Sequence, residues 1–172
     1  MSARCRHTAS GFTLIEVLIA LVVLAVGLLG VAKLFIVGLQ SSSSSSSGTQ
    51  AVNLAADIAD RIRANRTATV AYQANSPGGG APGTVCDGGA LSTAVVCTPA
   101  QMAAEDLYLW DQEVRCVGPG GVVAASCWAA GASWSVVYTP NPGTGPNTYL
   151  ITINWVEGAT NQAMSYTLSV QA

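Results

Sequence analysis

The sequence predicts an α+β protein in which a long hydrophobic N-terminal helix packs on a small C-terminal antiparallel sheet. Three observations lead there. Apolar residues crowd into positions 12–39, where nineteen of 28 are Phe, Leu, Ile or Val. Beyond a serine run, apolar residues recur at helical spacing as far as residue 62. From residue 133 onward, three short runs rich in β-branched and aromatic residues are separated by Gly/Pro/Asn loops.

Residues 12–39 form the first element. Only Glu16 and Lys33 carry charge there, and residues 17–32 are uninterrupted. On a translocon-type scale the strong apolar residues contribute roughly −6 to −11 kcal/mol, against about +3 for a central Glu, so insertion into a bilayer wins. As a helix the segment is about 42 Å long, more than the hydrocarbon core requires. Arg4 and Arg6 precede it with no acid beside them, which places the N-terminus in the cytoplasm and the rest outside it. The alternative of an ordinary secretory signal peptide fits less well. The apolar run exceeds the usual h-region and carries a charge near its start, although small-residue cleavage sites exist at Val23-Leu24-Ala25 and Gly30-Val31-Ala32.

Residues 40–66 continue the helix as an amphipathic segment. Ser41 to Ser47 read in isolation as a flexible linker, but serine is only moderately unfavourable in a helix. Leu54, Ile58 and Ile62 follow at four-residue steps beside Ala51, Ala55 and Ala59. Asp57 with Arg61 and Asp60 with Arg63 are spaced for ion pairs on the polar side. These charges and Arg66 form a solvated face in preference to a contact between subunits.

Residues 67–172 make up the globular domain. Residues 67–89 are rich in Gly, Pro and Ala and read as loop, with a short strand at 94–97. Thr98-Pro99-Ala100-Gln101 supplies a helix start: a Thr cap, Pro at the first helical position and Gln at the third. That helix runs to about residue 111 and buries Met102, Leu107 and Trp110. A turn at Gly118-Pro119-Gly120-Gly121 leads to strands at 133–138, 149–156 and 164–170, an antiparallel meander. Trp110, Trp128, Trp134 and Trp155 are expected in the core in preference to an adhesive patch.

Five cysteines are present. Cys5 precedes the apolar run, leaving Cys86, Cys97, Cys116 and Cys127, two pairs of identical separation. An even set beyond an export segment points to an oxidising compartment and two disulfides. Three connectivities are open, and the local one, Cys86–Cys97 with Cys116–Cys127, is favoured because each bond closes a short loop around Gly-rich sequence. No metal site is expected: CxxC and HxxxH spacings are missing, and the one histidine, His7, lies before the apolar run. The same scarcity leaves no nucleophile–base pair, so neither catalysis nor a cofactor is expected.

The most informative stretch is Gly11-Phe12-Thr13-Leu14-Ile15-Glu16. It resembles the processing site of type IV prepilins and type II secretion pseudopilins. The resemblance implies a cleaved leader, residues 1–11, cut between Gly11 and Phe12 by a prepilin peptidase, with Phe12 then N-methylated. It makes Glu16 the fifth mature residue. An acid in a membrane helix calls for a partner, and cleavage creates one: the Phe12 ammonium of a neighbouring subunit. Without the leader, five basic residues stand against nine acidic, a net charge of −4 and a poor match for nucleic acid.

Within this family three features resemble PilV-type minor pilins, the pilus modification proteins. They are Gly27-Leu28-Leu29-Gly30, the helix at residues 54–65, and Ala104-Glu105-Asp106-Leu107 with Trp110 followed by the Gly-Pro-Gly-Gly turn. The resemblance implies a minor pilin that primes fibre assembly near the tip and contributes to fibre-dependent motility and adhesion. Its implied partners are other minor and major pilins and the inner-membrane assembly platform. The chain would sit in the inner membrane with its C-terminal domain in the periplasm, then enter the extracellular pilus. A minor pseudopilin of type II secretion is the alternative.

Overall fold

A computed structural model describes residues 11–78, 81–86, 96–118, 122–123, 127–129, 131–158 and 161–172. The chain divides into two compact units after Ser42, and helix α1, Leu14–Ala64, contributes to both. The first unit is the apolar part of α1. Thr13 opens it, its carbonyl accepting from the Glu16 and Val17 amides at 3.1 and 3.3 Å. Every side chain from Gly11 to Ser42 is exposed, in accord with a helix that is hydrophobic all round.

In the second unit α1 acquires a buried stripe. Ser44, Ser47 and Gly48 are half-buried, and Ala51, Leu54, Ala55, Ile58, Ala59 and Ile62 are fully buried. The serine run is therefore helical. Its second half begins the stripe that the alanines continue, and these small side chains let neighbouring elements approach closely.

After Asn65 the chain tightens into a 3-10 segment, Arg66–Tyr72, and a two-residue strand β1, Ala74–Asn75. Both fall in the stretch read from sequence as loop. Their cause is tertiary: Tyr72 is fully buried, and β1 pairs antiparallel with the middle of β2. Thr69 adopts a positive φ of 46°, and its carbonyl accepts from the Tyr149 hydroxyl at 3.1 Å.

Helix α2, Pro99–Arg115, starts as the sequence predicts. The Gln101 amide donates to the Thr98 hydroxyl oxygen at 3.3 Å, and the Thr98 amide donates to the Gln101 side chain at 2.9 Å. The helix runs four residues past 111, since Val114 is buried and Arg115 pairs with Asp111. Its apolar face is Ala103, Leu107, Trp110 and Val114, which turns Met102 outward to 42% exposure, so the expected burial of Met102 is corrected. The helix closes on Cys116 in the left-handed region (φ 54°). The Val117 amide reaches the Gln112 carbonyl at 2.9 Å and the Cys116 amide the Glu113 carbonyl at 3.4 Å, a Schellman closure with cysteine where glycine is usual. Of the strand expected at 94–97, residues 94 and 95 lie outside the described residues, and Val96 is fully exposed without strand pairing. Pro119, Gly120 and Gly121 of the expected turn also lie outside them.

The sheet has the order β1-β2-β3-β4, with β2 Ser133–Thr139, β3 Thr148–Val156 and β4 Ala163–Gln171, all antiparallel. Its inner face brings Trp134 opposite Ile153, Val136 opposite Ile151, and Tyr149 opposite Val170. These residues share one core with the α1 stripe and the α2 face, giving the α+β arrangement expected from sequence. Trp110 and Trp134 meet edge to face at 4.8 Å. Trp110, Trp134 and Trp155 are buried and Trp128 is partly buried, so the tryptophans serve the core.

Candidate functional site

Gly11 and Phe12 lie before the first helical turn and are both exposed, and a Cβ built on Gly11 would meet nothing within 4 Å among the described residues. Glu16 occupies the first turn of α1, where a negative charge is favoured by the helix macrodipole. Phe12, Glu16, Ala20 and Leu24 fall at four-residue steps on one face, and with Val17 and Leu21 they line an open concavity of about 340 Å³. Small Ala20 between larger neighbours leaves an apolar notch directly beside the carboxylate. Among the described residues no cation pairs with Glu16, and the ion pairs lie in the second unit. The surface from Leu14 to Leu39 is apolar apart from Glu16 and Lys33, and long enough to cross a membrane.

The second unit contains a polar network that fastens α1 to α2. The Arg61 guanidinium donates to Asp57 at 2.9 Å and to Asp106 at 3.2 Å. The Tyr72 hydroxyl donates to the other Asp106 oxygen at 2.6 Å. Buried Asn65 donates to the Tyr72 oxygen at 3.3 Å and to the Pro99 carbonyl at 2.8 Å. Burial pushes the Tyr72 hydroxyl well above its ordinary pKa, and the bond to Asp106 pushes the same way. Burial opposes the Arg61 charge, but Asp57 and Asp106 together outweigh it and raise its pKa. Arg63 pairs with Asp60 at 2.8 Å on the open surface, so of the charges read as a solvated face Arg61 alone turns inward to α2.

Two further side chains lock helices to the core. The Trp110 indole donates to the Leu54 carbonyl at 2.8 Å, and the Trp134 indole donates to Asp111 at 2.7 Å. Cys86 is bonded to Cys97 and Cys116 to Cys127. The Cys86 amide also donates to Glu105 at 2.8 Å, which fastens the first bridge to α2. Tyr72 is not singled out in the sequence, and Asn65 and Asp106 stand out there only within stretches that carry the family resemblance, with no contact assigned to either. The available signal is an acid at 106 beside the apolar positions 103, 107 and 110 of one helix. Among the described residues no group of His, Cys, Asp and Glu is arranged to hold a metal ion.

Comparison with known families matches residues 34–108 to a model described as type IV pilin Tt1218, and residues 6–32 to the prokaryotic N-terminal methylation motif. No curated protein and no solved structure gives a match.

Proposed function

Because the chain is a type IV pilin-like prepilin, we propose that it works as a minor pilin, priming assembly of the type IV pilus and residing near its tip. The methylation motif implies processing by a prepilin peptidase and assembly with other pilins. In this reading the peptidase removes residues 1–11, Phe12 is methylated, residues 12–39 form the assembly helix, residues 40–66 continue it, and residues 67–172 form a periplasmic domain. The chain waits in the inner membrane at the assembly platform, enters the fibre with other minor and major pilins, and contributes to motility and adhesion. It acts by packing, as a structural subunit and without a reaction of its own. The match over residues 34–108 favours a pilus over a type II secretion pseudopilus.

One observation carries this reading: a lone acid, Glu16, sits four residues from Phe12 on a helix whose apolar surface stays exposed among the described residues. An ammonium on Phe12 of one subunit beside Glu16 of the next makes burial of each charge tolerable and sets the axial step between helices. The Ala20 notch provides space for a neighbour's side chain next to that pair. Mass spectrometry of the mature protein is expected to find an N-methylated Phe12 as its first residue. Glu16→Ala is expected to insert into the membrane normally and to be depleted from sheared fibres. A mature chain that begins beyond residue 25, or full incorporation of Glu16→Ala, defeats the proposal.

A further inference from the structure

We propose that Lys33 sets the depth of the subunit in the membrane: its ammonium stands at the outer surface of the bilayer on the phosphates of lipid headgroups, and the membrane-spanning length ends there and not at Leu39. This rests on the reading of α1 as a membrane anchor and fixes its outer limit. Glu16 and Lys33 are the only charged residues between Leu14 and Leu39. Lys33 is exposed, and among the described residues no acid pairs with it.

Two lengths agree with this position. From Leu14 to Lys33 the helix is about 29 Å long at 1.5 Å per residue, and the hydrocarbon core is about 30 Å thick. Leu34 to Leu39 add about 9 Å, against roughly 5–7 Å for the headgroup layer on each side. The exposed apolar side chains of Leu34, Phe35, Ile36, Val37 and Leu39 then lie in that layer, and the serine run opens at its watery edge.

A helix tilted until Leu39 reached the edge of the hydrocarbon would draw Lys33 beneath it. Side chains on a helix lean toward its N-terminus, here the cytoplasmic end, so the Lys33 stem is aimed away from the outer surface and climbs back to it poorly. Holding the residue itself at headgroup level removes that difficulty. Charge selects the partner. An ammonium is a compact, strongly hydrated cation rich in donors, suited to phosphate oxygens in a wet layer. A neighbouring copy offers no substitute. The one acid between Leu14 and Leu39, Glu16, lies about 26 Å back along the helix, and in the proposed fibre it is taken by Phe12.

The test uses the full chain in vesicles of phosphatidylethanolamine and phosphatidylglycerol at large lipid excess. A Cys5→Ser background removes the one cysteine outside the two disulfides. Nitroxides are attached after Val31→Cys, Ile36→Cys or Ser46→Cys, and their collisions with oxygen, which concentrates in hydrocarbon, are compared with those of a water-soluble nickel chelate. Oxygen is expected to dominate at 31, with chelate collisions severalfold higher at 36 and higher again at 46. Adding Lys33→Leu is expected to draw position 36 into the oxygen-dominated range. Lys33→Arg is expected to leave it where it was, and Lys33→Gln, polar but uncharged, to behave as Lys33→Leu does. Oxygen dominance at 36 with Lys33 intact, an unchanged depth in Lys33→Leu, or a depth held by Lys33→Gln overturns the proposal. So does a depth at 36 that appears only when the protein is crowded, since a neighbouring copy then supplies the anion. Chelate dominance at 31 overturns the membrane-anchor reading itself, which keeps the two failures apart.

Discussion

Arg61 stands between Asp57, one turn back on its own helix, and Asp106, brought in by α2. The Asp57 contact is legible in the sequence because a helix dictates its spacing. Asp106 is 45 positions away and nothing local announces it. The same holds for Tyr72, whose hydroxyl completes the network from a stretch that reads as loop. Removing that hydroxyl leaves Asp106 short of a donor, and Tyr72→Phe is expected to destabilise the second unit by about 1.5–3 kcal/mol in urea titration. The pH dependence has a definite sign. The folded pKa of Tyr72 lies above its unfolded value, so the fold favours the neutral phenol. That contribution is complete below about pH 10 and is lost as pH rises from there through the folded pKa. Tyr149, also raised by burial and then by Tyr138, adds in the same direction. Urea midpoints between pH 8 and 11 are expected to fall more steeply for the wild type than for Tyr72→Phe.

At the scale of elements, legibility follows periodicity. α1, α2 and the three long strands repeat every 3.6 or two residues and can be read directly; the Thr98 cap can be read because its chemistry fits in four residues. β1 and the 3-10 segment have no period to detect and exist because Tyr72 and Ala68 are drawn into the core. The burial of Met102 is misread because an apolar residue at the start of a helix fits two neighbouring faces, and the core selects the one through Ala103. The end of α2 is also hidden, since a left-handed residue there is expected to be glycine. Cys116 takes that role while bonded to Cys127, eleven residues on. Replacing both by serine is expected to cost about 3 kcal/mol from the opened loop, and amide exchange is expected to quicken first over the last turn of α2.

For the whole molecule, the division after Ser42 separates an element defined by its uncovered surface from a unit with its own core. Substitutions in the two should then be additive. Glu16→Ala is expected to leave the thermal midpoint of the second unit within experimental error of the wild type, measured by near-ultraviolet dichroism of its tryptophans. A shift of several degrees contradicts that independence. The run at residues 11–16 is legible because its chemistry is contiguous, and the methylation motif spans it.

The serines between these parts have a consequence for depth. Hydroxyls on a helix can turn back to a carbonyl one turn earlier, as Thr49 does to Ser45 at 2.9 Å. A surface that satisfies its own polarity makes little demand on its surroundings. Within residues 41–47, Ser47 instead donates to the Trp128 carbonyl at 3.4 Å, so the end of the run is moored to the core and only its exposed hydroxyls are left to meet oil, water or a neighbour.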